Sequence, residues 1–314
     1  MKIFISDKSF GKYDQTAMKL LGRDDVELVN SIILAEGVIA GTEMYDAELL
    51  STAKYLRVIS RMGVGYDNID LDYCRNNNIT VTYTPDAPSG SVAELTIAQM
   101  LNLIRLIPQN NHNIHNNKWR KPLGKKLSEL TIGVIGVGRI GSKVIRNLQP
   151  FSPKRILVHD TDYNKPDELR SNSNYDFNII LSLEKLLSES DIVTVHIPMN
   201  DENANFINYN FISAMKDNSY LINTSRGGIL DEKALERELF SLKPKLSGIA
   251  LDVFVDEPYA GNLTAFDKVL MTPHIGSMTL VARRNMEVGA VLDCIKVIKG
   301  DNPVNPIPET VGVL

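Results

Sequence analysis

Three polar residues with complementary chemistry lie in the C-terminal part of the sequence, each after an apolar run. Arg226 lies in Asn-Thr-Ser-Arg-Gly-Gly, Glu257 in Asp-Glu-Pro and His274 in Thr-Pro-His-Ile-Gly. A guanidinium binds a carboxylate through two hydrogen bonds at any working pH. An imidazole exchanges a proton near neutral pH, and a carboxylate beside it stabilises its charged form. Each residue alone also fits an ordinary turn, but the three together supply what proton transfer on an anionic substrate requires.

A glycine-rich turn earlier in the chain has the spacing of a dinucleotide-binding site. Gly136, Gly138 and Gly141 follow a strand-like run, Thr-Ile-Gly-Val-Ile, and precede a stretch with helical periodicity. In this pattern the first glycine makes the tight turn, the second lets the backbone approach a pyrophosphate, and the third allows the helix to pack closely on the strand. We expect the N–H groups of Arg139 and Ile140, at the start of the helix, to bind phosphate oxygens.

The acid that completes this pattern is Asp160, which lies nineteen residues after Gly141 at the end of the next strand-like run. Its carboxylate would accept hydrogen bonds from the adenosine ribose and would repel a 2′-phosphate. No arginine follows directly in Thr-Asp-Tyr-Asn, and the nearest cation is Lys165. The sequence therefore predicts NAD as the cofactor, with Lys165 as a feature that would also suit NADP.

Two successive series of strands and helices position these residues. Beta-branched runs alternate with helical periods in the first hundred residues and again after residue 130, which is typical of parallel sheets covered by helices. We predict an α/β fold with two doubly wound parallel-sheet domains, separated by a cleft that holds the substrate. They are a flavodoxin-like substrate domain, 1–100 plus 283–314, and a Rossmann NAD domain, 101–282. The last helix, 279–299, returns the chain to the first domain.

The stretch Ser89–Ile107 is apolar on nearly every side of a helix, so the sequence predicts that it is buried on most of them. It fits either a core helix or a helix that packs in a dimer interface. His112 and His115 follow at helical spacing, but no carboxylate or cysteine lies at ligand spacing from them. We therefore predict no metal site.

Composition and charge exclude several classes of protein. The chain has 314 residues, of which 43% are hydrophobic and 23% charged, with a net charge of −4. A charge this small gives no strong field toward nucleic acid or an anionic membrane, and no apolar run reaches the roughly 18 residues of a membrane span. The two cysteines, Cys74 and Cys294, are expected to be reduced, half-buried thiols. We predict a cytoplasmic protein without nucleic-acid or membrane partners.

Taken in order along the chain, the motifs resemble those of the D-isomer-specific 2-hydroxyacid dehydrogenases, and the resemblance covers nearly the whole chain. The family includes D-3-phosphoglycerate, D-lactate, glycerate/hydroxypyruvate and formate dehydrogenases. Besides the glycine turn, the motifs are Arg61-Met-Gly-Val-Gly65, Ser91-Val-Ala-Glu94-Leu, His196-Ile-Pro198, Asn223-Thr-Ser-Arg226-Gly, Leu251-Asp252-Val-Phe-Val-Asp-Glu257-Pro and Thr272-Pro-His274-Ile-Gly276. The resemblance implies a homodimeric enzyme that transfers a hydride reversibly between NAD(H) and a small 2-keto or 2-hydroxy acid.

The resemblance also implies a role for each of the three polar residues. His274 is the acid in keto-acid reduction and the base in hydroxy-acid oxidation. Glu257 pairs with His274 and favours its imidazolium form. Arg226 orients and polarises the substrate.

Further motif residues are expected at the cofactor and the substrate. Asp252 would hold the nicotinamide carboxamide, together with backbone groups around Thr224 and Ser225. The other motif positions expected at the cofactor are His196, Pro198, Arg226, His274 and Gly276. The substrate carboxylate is expected to bind backbone N–H groups of the loop formed by Met62, Gly63, Val64 and Gly65.

Arg61 resembles the position at which phosphoglycerate dehydrogenases place an arginine near the distal anion of the substrate. The closing segment, 300–306, is also similar to that branch, so the resemblance is nearest to D-3-phosphoglycerate dehydrogenases without the C-terminal regulatory domain. 3-Phosphoglycerate is therefore one substrate to consider. Two alternatives stay open: an NAD(H)-sensing, corepressor-like protein on the same fold, and formate or phosphite oxidation within the family.

Overall fold

The structure is a computed structural model that describes residues 1–307. Residues 308–314, which the sequence analysis assigned to the end of the substrate domain, lie outside the described residues. The chain forms two compact units: Met1–Ser91 together with the described residues from Ser277 onward, and Val92–Gly276. The predicted junctions, after residue 100 and after residue 282, lie nine and six residues further along the chain.

Parallel strands and the helices that follow them account for most of both units. The strands are β1 (Lys2–Ile5), β2 (Glu27–Val29), β3 (Gly37–Ala40), β4 (Val58–Arg61), β5 (Thr80–Thr82), β6 (Thr131–Ile135), β7 (Arg155–His159), β8 (Asn178–Ile179), β9 (Ile192–Val195), β10 (Ser219–Asn223), β11 (Leu246–Leu251) and β12 (Val269–Met271). The helices are α1 (Thr16–Leu21), α2 (Ala47–Ser51), α3 (Leu71–Asn76), α4 (Ser89–Arg105), α5 (Ile107–His115), α6 (Arg139–Leu148), α7 (Asn164–Ser171), α8 (Leu183–Glu189), α9 (Tyr209–Ala214), α10 (Glu232–Leu239) and α11 (Leu280–Lys299).

The first unit is built on a five-stranded parallel sheet with the order β2-β1-β3-β4-β5. This is the flavodoxin-like order of a doubly wound sheet. Apolar side chains of α1 and α11 pack on one face, and those of α2 and α3 pack on the other. Because both faces are covered, β3 and β4 are buried along their whole length. The second junction falls just before α11 because this entire helix packs against the first sheet.

The second unit is built on a seven-stranded parallel sheet with the order β12-β11-β10-β9-β6-β7-β8. Counted from β6, this is the Rossmann order 3-2-1-4-5-6 with one further strand. Helices α4 and α6 cover one face, and α8, α9 and α10 cover the other. The strand order reverses between β6 and β9, and sheets of this type bind ligands at such a switch point, outside the carboxyl ends of the strands. The predicted α/β fold with two doubly wound sheets is confirmed.

Helix α4 is a core helix of the second unit, since Ile97, Met100 and Ile104 are buried against its sheet. Because α4 packs on the second sheet, the boundary between the two units falls in its first turn, between Ser91 and Val92. This helix was predicted to reach Ile107, but it ends at Arg105 because the backbone turns left-handed at Leu106, with φ of 54°. Pro108 then occupies the first turn of α5, where proline is well tolerated because its missing N–H is not needed.

Both cysteines are free and fully buried, so the expectation of half-buried thiols was wrong. Cys74 lies on the inner face of α3, and Cys294 lies on α11 against Gly37 of β3. Burial raises the pKa of the Cys74 thiol to about 12 and also raises the pKa of Cys294. Both thiols are therefore protonated and unreactive at neutral pH.

Within residues 1–307, no helix is long and apolar enough to cross a membrane. The same residues contain no group of three or more His, Cys, Asp and Glu side chains that could hold a metal ion.

Candidate active site

The residues that the sequence analysis singled out in the second unit follow the carboxyl ends of its parallel strands. In order across the sheet they are Asp160 after β7, Gly136 after β6, His196 after β9, Arg226 after β10, Glu257 after β11 and His274 after β12. Adjacent strands lie about 4.8 Å apart, so the loops that follow them form one continuous edge. The switch point divides this edge into a half with the glycine turn and a half with the three polar residues.

The three glycines of the turn differ in what requires them. The packing of the protein requires two of them, and the third leaves room for a ligand. Gly136 has φ of +90°, and a Cβ there would lie 2.4 Å from the main-chain oxygen of His196. A Cβ on Gly141 would lie 1.9 Å from the main-chain oxygen of Gly136. A Cβ on Gly138 would meet no atom within 4 Å. The protein's own packing therefore requires Gly136 and Gly141, whereas Gly138 leaves open space at the start of α6, which fits the approach of a pyrophosphate.

Asp160 is buried and fixed by backbone donors. Its Oδ2 accepts a hydrogen bond from Val137 N at 2.6 Å, and its Oδ1 accepts one from Asp162 N at 2.9 Å. The first bond ties the carboxylate to the glycine turn itself. Each oxygen keeps a lone pair that can accept a ribose hydroxyl. Lys165 Nζ lies 3.8 Å from Oδ1, so the cation noted in the sequence does reach this carboxylate.

His196 supports the turn from within the core. Its Nε2 lies 2.9 Å from Thr194 Oγ1, and its Nδ1 is buried with no hydrogen-bond partner among the described residues. Burial lowers the pKa of His196 to about 3, so the imidazole is neutral. Pro198 is exposed, and its main-chain oxygen accepts a hydrogen bond from Asn203 Nδ2 at 2.8 Å. The His196 ring is therefore buried, and the main-chain oxygen of His196 lies against the glycine turn.

His274 and Glu257 form a hydrogen-bonded pair. His274 Nδ1 lies 2.8 Å from Glu257 Oε2, and Glu257 Oε1 accepts a hydrogen bond from Phe254 N at 3.1 Å. Since a carboxylate only accepts hydrogen bonds, Nδ1 carries a hydrogen in this pair. Nε2 is then the nitrogen that can exchange a proton with a substrate. Both side chains are 37% exposed, which leaves them accessible to a ligand.

Asp252 holds the loop that carries His274. Its main-chain oxygen accepts a hydrogen bond from His274 N at 2.9 Å, its Oδ1 one from Ile275 N at 2.9 Å, and its Oδ2 one from Gly276 N at 2.8 Å. Thr272 Oγ1 also donates to Oδ1, at 2.5 Å. These bonds hold His274 at φ of +52°, a conformation that few residues other than glycine adopt. This supporting role of Asp252 was not predicted from the sequence.

Arg226 lies in a turn whose backbone is fixed on both sides. Arg226 Nη1 donates to the main-chain oxygen of Ser225 at 2.9 Å, and Asn223 Nδ2 donates to the main-chain oxygen of Arg226 at 3.0 Å. A Cβ on Gly227 would lie 1.9 Å from the main-chain carbon and oxygen of Phe254. The turn that carries Arg226 is therefore packed directly against the segment that leads to Glu257.

Two buried polar residues of α4 were not singled out in the sequence. Thr96 Oγ1 lies 3.1 Å from Thr224 Oγ1, and Gln99 Nε2 donates to Thr272 Oγ1 at 3.2 Å. The available signal was a polar side chain within a helix that is otherwise apolar. Both contacts lead to loops on the carboxyl edge of the second sheet.

In the first unit, two of the four N–H groups in the loop after β4 are bonded within the protein. Met62 N donates to a main-chain oxygen of β3 at 2.9 Å, and Gly63 N donates to Thr84 Oγ1 at 2.7 Å. Val64 N and Gly65 N donate no hydrogen bond to any described residue. Val64 and Gly65 are therefore the residues of this loop whose N–H groups remain for an anion, and binding of the substrate carboxylate there stays a prediction.

Arg61 is folded back onto this same loop. The residue is 8% exposed, and its Nη1 donates a hydrogen bond to the main-chain oxygen of Met62. A Cβ on Gly63 would lie 2.7 Å from that nitrogen, so the guanidinium occupies the space that a side chain at Gly63 would fill.

Comparison with known proteins identifies the relatives of this architecture. Residues 97–276, nearly the whole second unit, match the family described as D-isomer specific 2-hydroxyacid dehydrogenase, NAD binding domain. The glyoxylate reductase of Thermofilum pendens is 38% identical over 83% of this chain and 78% of its own length. The D-3-phosphoglycerate dehydrogenase of Synechocystis sp. is 33% identical over 91% of this chain, but the match spans only 52% of that protein.

Solved structures extend the likeness to the complete chain. The D-lactate dehydrogenase from Aquifex aeolicus, complexed with NAD and lactic acid, superimposes with a TM-score of 0.82 at 31% identity and covers 96% of both chains. The NADPH-dependent glyoxylate/hydroxypyruvate reductase from Sinorhizobium meliloti superimposes with a TM-score of 0.83 at 26% identity, over 99% of this chain and 98% of that chain. Relatives with this architecture thus include one described in complex with NAD and one described as NADPH-dependent.

Proposed function

The chain belongs to the D-isomer specific 2-hydroxyacid dehydrogenases, oxidoreductases that act on the CH–OH group with NAD(P), and from that premise we propose that it interconverts a small 2-keto acid and the D-2-hydroxy acid with NAD(H). The observation that carries this proposal is the pair of His274 and Glu257, at 2.8 Å, on the same sheet edge as Arg226. A proton donor and a carboxylate-binding cation are the two groups that the reaction needs from the protein.

Each of these residues has a distinct task in the reductive direction. The reduced nicotinamide supplies the hydride that adds to the keto carbon. Arg226 binds the substrate carboxylate and polarises the keto oxygen. His274 transfers the proton on Nε2 to that oxygen, so the C=O group becomes CH–OH. Glu257 keeps the second imidazole proton on Nδ1 and stabilises the charged ring before transfer. In the oxidative direction, Nε2 takes the hydroxyl proton.

The cofactor site favours NAD. Gly138 and the first N–H groups of α6 would hold the pyrophosphate, and Asp160 would hold the adenosine ribose. The negative charge of Asp160 would oppose a 2′-phosphate, and Lys165, 3.8 Å from this carboxylate, would offset part of that charge. Asp252 Oδ2 accepts one hydrogen bond from the protein and has a further lone pair for the nicotinamide carboxamide.

The favoured substrates are unphosphorylated acids such as glyoxylate and hydroxypyruvate. The match to a glyoxylate reductase over most of its length supports this choice. So does Arg61, which is buried against its own loop and would have to leave it to reach a distal phosphate. A role for the Val64 and Gly65 N–H groups in binding the substrate carboxylate, and a homodimeric assembly, stay predictions.

A substrate panel tests the proposal. Purified protein would be mixed with NADH or NADPH and with glyoxylate, hydroxypyruvate, pyruvate or 3-phosphohydroxypyruvate, and NADH consumption would be followed. We expect the highest kcat/KM with glyoxylate or hydroxypyruvate and NADH. Faster turnover of 3-phosphohydroxypyruvate would contradict the proposed substrate. Tight NADH binding without turnover of any acid would instead favour the NAD(H)-sensing alternative.

A further inference from the structure

Gln99 is an unusual residue for its position on α4. It is 1% exposed, on a helix where most of the buried side chains are apolar. The only hydrogen bond of its side chain among the described residues runs from Nε2 to Thr272 Oγ1, at 3.2 Å, and its Oε1 is buried without a partner. Burying an amide oxygen without a partner is unfavourable, so an apolar residue of the same length would suit the core better. The fold alone therefore does not explain a glutamine here.

The contact with Thr272 has a fixed direction. A threonine hydroxyl has one hydrogen, and Thr272 donates it to Asp252 Oδ1 at 2.5 Å. Thr272 can then only accept a hydrogen bond from α4, which requires an N–H donor at position 99. The result is a chain of hydrogen bonds that runs from Gln99 through Thr272 to the carboxylate of Asp252. Hydrogen bonds in such a chain polarise and strengthen one another.

The far end of this chain is the loop that carries the proton-transfer residue. The carboxylate of Asp252 accepts the N–H groups of Ile275 and Gly276, and its main-chain oxygen accepts that of His274. The side chain of Asp252 thus fixes the segment that holds His274 in its left-handed conformation. A change in the orientation of this carboxylate would move the imidazole.

We propose that Gln99 is a positioning residue for His274, which acts through Thr272 and Asp252 and does not touch the substrate. The inference rests on the proposed function, because it assigns to α4 a part in the proton transfer. It explains why a buried glutamine with an unpartnered oxygen occupies a helix that packs mostly through apolar side chains.

The experiment compares Gln99→Met, which keeps the length of the side chain and removes the donor, with Met100→Leu as a control at a neighbouring fully buried position. Thr272→Val removes the next link, Thr272→Ser keeps its hydroxyl, and a double variant combines Gln99→Met with Thr272→Val. For each protein we would measure kcat, the KM for NADH, the melting temperature, and the hydrogen–deuterium exchange rate of the amides 274–276.

We expect Gln99→Met to lower kcat about threefold to tenfold and to raise the exchange rate of amides 274–276 by a similar factor. The KM for NADH should change by a smaller factor than kcat, because Asp252 is proposed to hold only the nicotinamide end of the cofactor, and the melting temperature should stay the same or rise. Thr272→Ser should keep most of the activity. The kcat of the double variant should match that of Thr272→Val alone within about twofold, because the effects of two residues that act through one chain of hydrogen bonds do not add.

Unchanged kcat and unchanged exchange in Gln99→Met would overturn the inference. The inference would also be overturned if the two losses of kcat multiplied in the double variant, or if variants lost kcat in proportion to their loss of melting temperature. If the wild-type protein turned over none of the acids tested, the proposed function would fail, and the exchange rates alone would decide whether Gln99 holds the loop.

Discussion

The two halves of the carboxyl edge of the second sheet are built in different ways. In the half with the glycine turn, backbone atoms approach so closely that Gly136 and Gly141 leave no room for a side chain. In the other half, His274 and Glu257 are partly exposed side chains joined by one hydrogen bond. In the proposed function, cofactor binding therefore depends on the packing of the main chain, whereas proton transfer depends on the orientation of side chains. Substitutions should affect stability in the first half and rate in the second.

The largest effect is expected at the proton-transfer residue. His274→Gln should lower kcat by roughly 10²–10⁴, the loss typical of a missing general acid. The dissociation constant for NADH, measured by fluorescence titration, should change little. His112→Gln, at an exposed histidine of α5, is the matched control and should keep full activity. A His274→Gln enzyme with unaltered kcat would remove the assignment of this residue as acid and base.

The glycine turn should respond in the opposite way. Gly141→Ala places a Cβ 1.9 Å from a main-chain oxygen and should lower the free energy of unfolding by about 1–3 kcal/mol or more. Gly138→Ala adds the same methyl group in open space, so it should leave stability within about 0.5 kcal/mol but raise the KM for NADH. Urea unfolding and steady-state kinetics would compare the two variants. Equal losses of stability would mean that the close contact at Gly141 does not distinguish these positions.

A smaller effect is expected at the ribose acid. Asp160→Ala should lower the ratio of kcat/KM for NADH to that for NADPH by about tenfold, since it removes the charge that opposes a 2′-phosphate. Glu168→Ala, at an exposed acid of α7, provides the control for a lost negative charge. An unchanged ratio in Asp160→Ala would mean that Lys165 or another group sets the cofactor preference.

The buried His196 should make stability depend on pH. Its pKa is lowered from 6.5 to about 3 by burial, so the unfolded chain binds a proton more readily than the folded protein between these values. Stability is then present above pH 6.5 and is lost as the pH falls toward 3, by up to ~1.4 kcal/mol per pH unit. Urea unfolding between pH 7.5 and 4.5 should show a smaller loss in the free energy of unfolding for His196→Gln than for the wild-type protein. Parallel curves for the two proteins would contradict a neutral, buried imidazole.

Long periodic elements of the fold could be predicted from the sequence. The strand-like run before the glycine turn is β6, Thr131–Ile135, and the last helix, predicted for 279–299, is α11, Leu280–Lys299. The helix predicted for Ser89–Ile107 is α4, which begins at the predicted residue and ends at Arg105. Strand β8 has two residues, too few to show a period, and was not predicted.

The candidate site could be predicted where the type of a residue and its position in the chain decide its chemistry. Arg226, Glu257 and His274 each follow a strand, and the structure places them after three neighbouring strands. What the sequence could not give is the pairing of hydrogen-bond groups between distant residues. Thr84 accepts a hydrogen bond from the N–H of Gly63, which lies twenty-one residues earlier in the chain, and Gln99 donates one to Thr272, which lies 173 residues later. Such contacts depend on how helices and loops pack, which no local pattern encodes.

The burial of both thiols has a practical consequence for measuring motion in this molecule. Cys74 and Cys294 are fully buried and protonated at neutral pH, so maleimide dyes should leave the native protein unlabelled. A single exposed substitution, such as Lys118→Cys, would then be the only site that reacts. Fluorescent or spin labels could be attached at chosen positions without first removing the native cysteines.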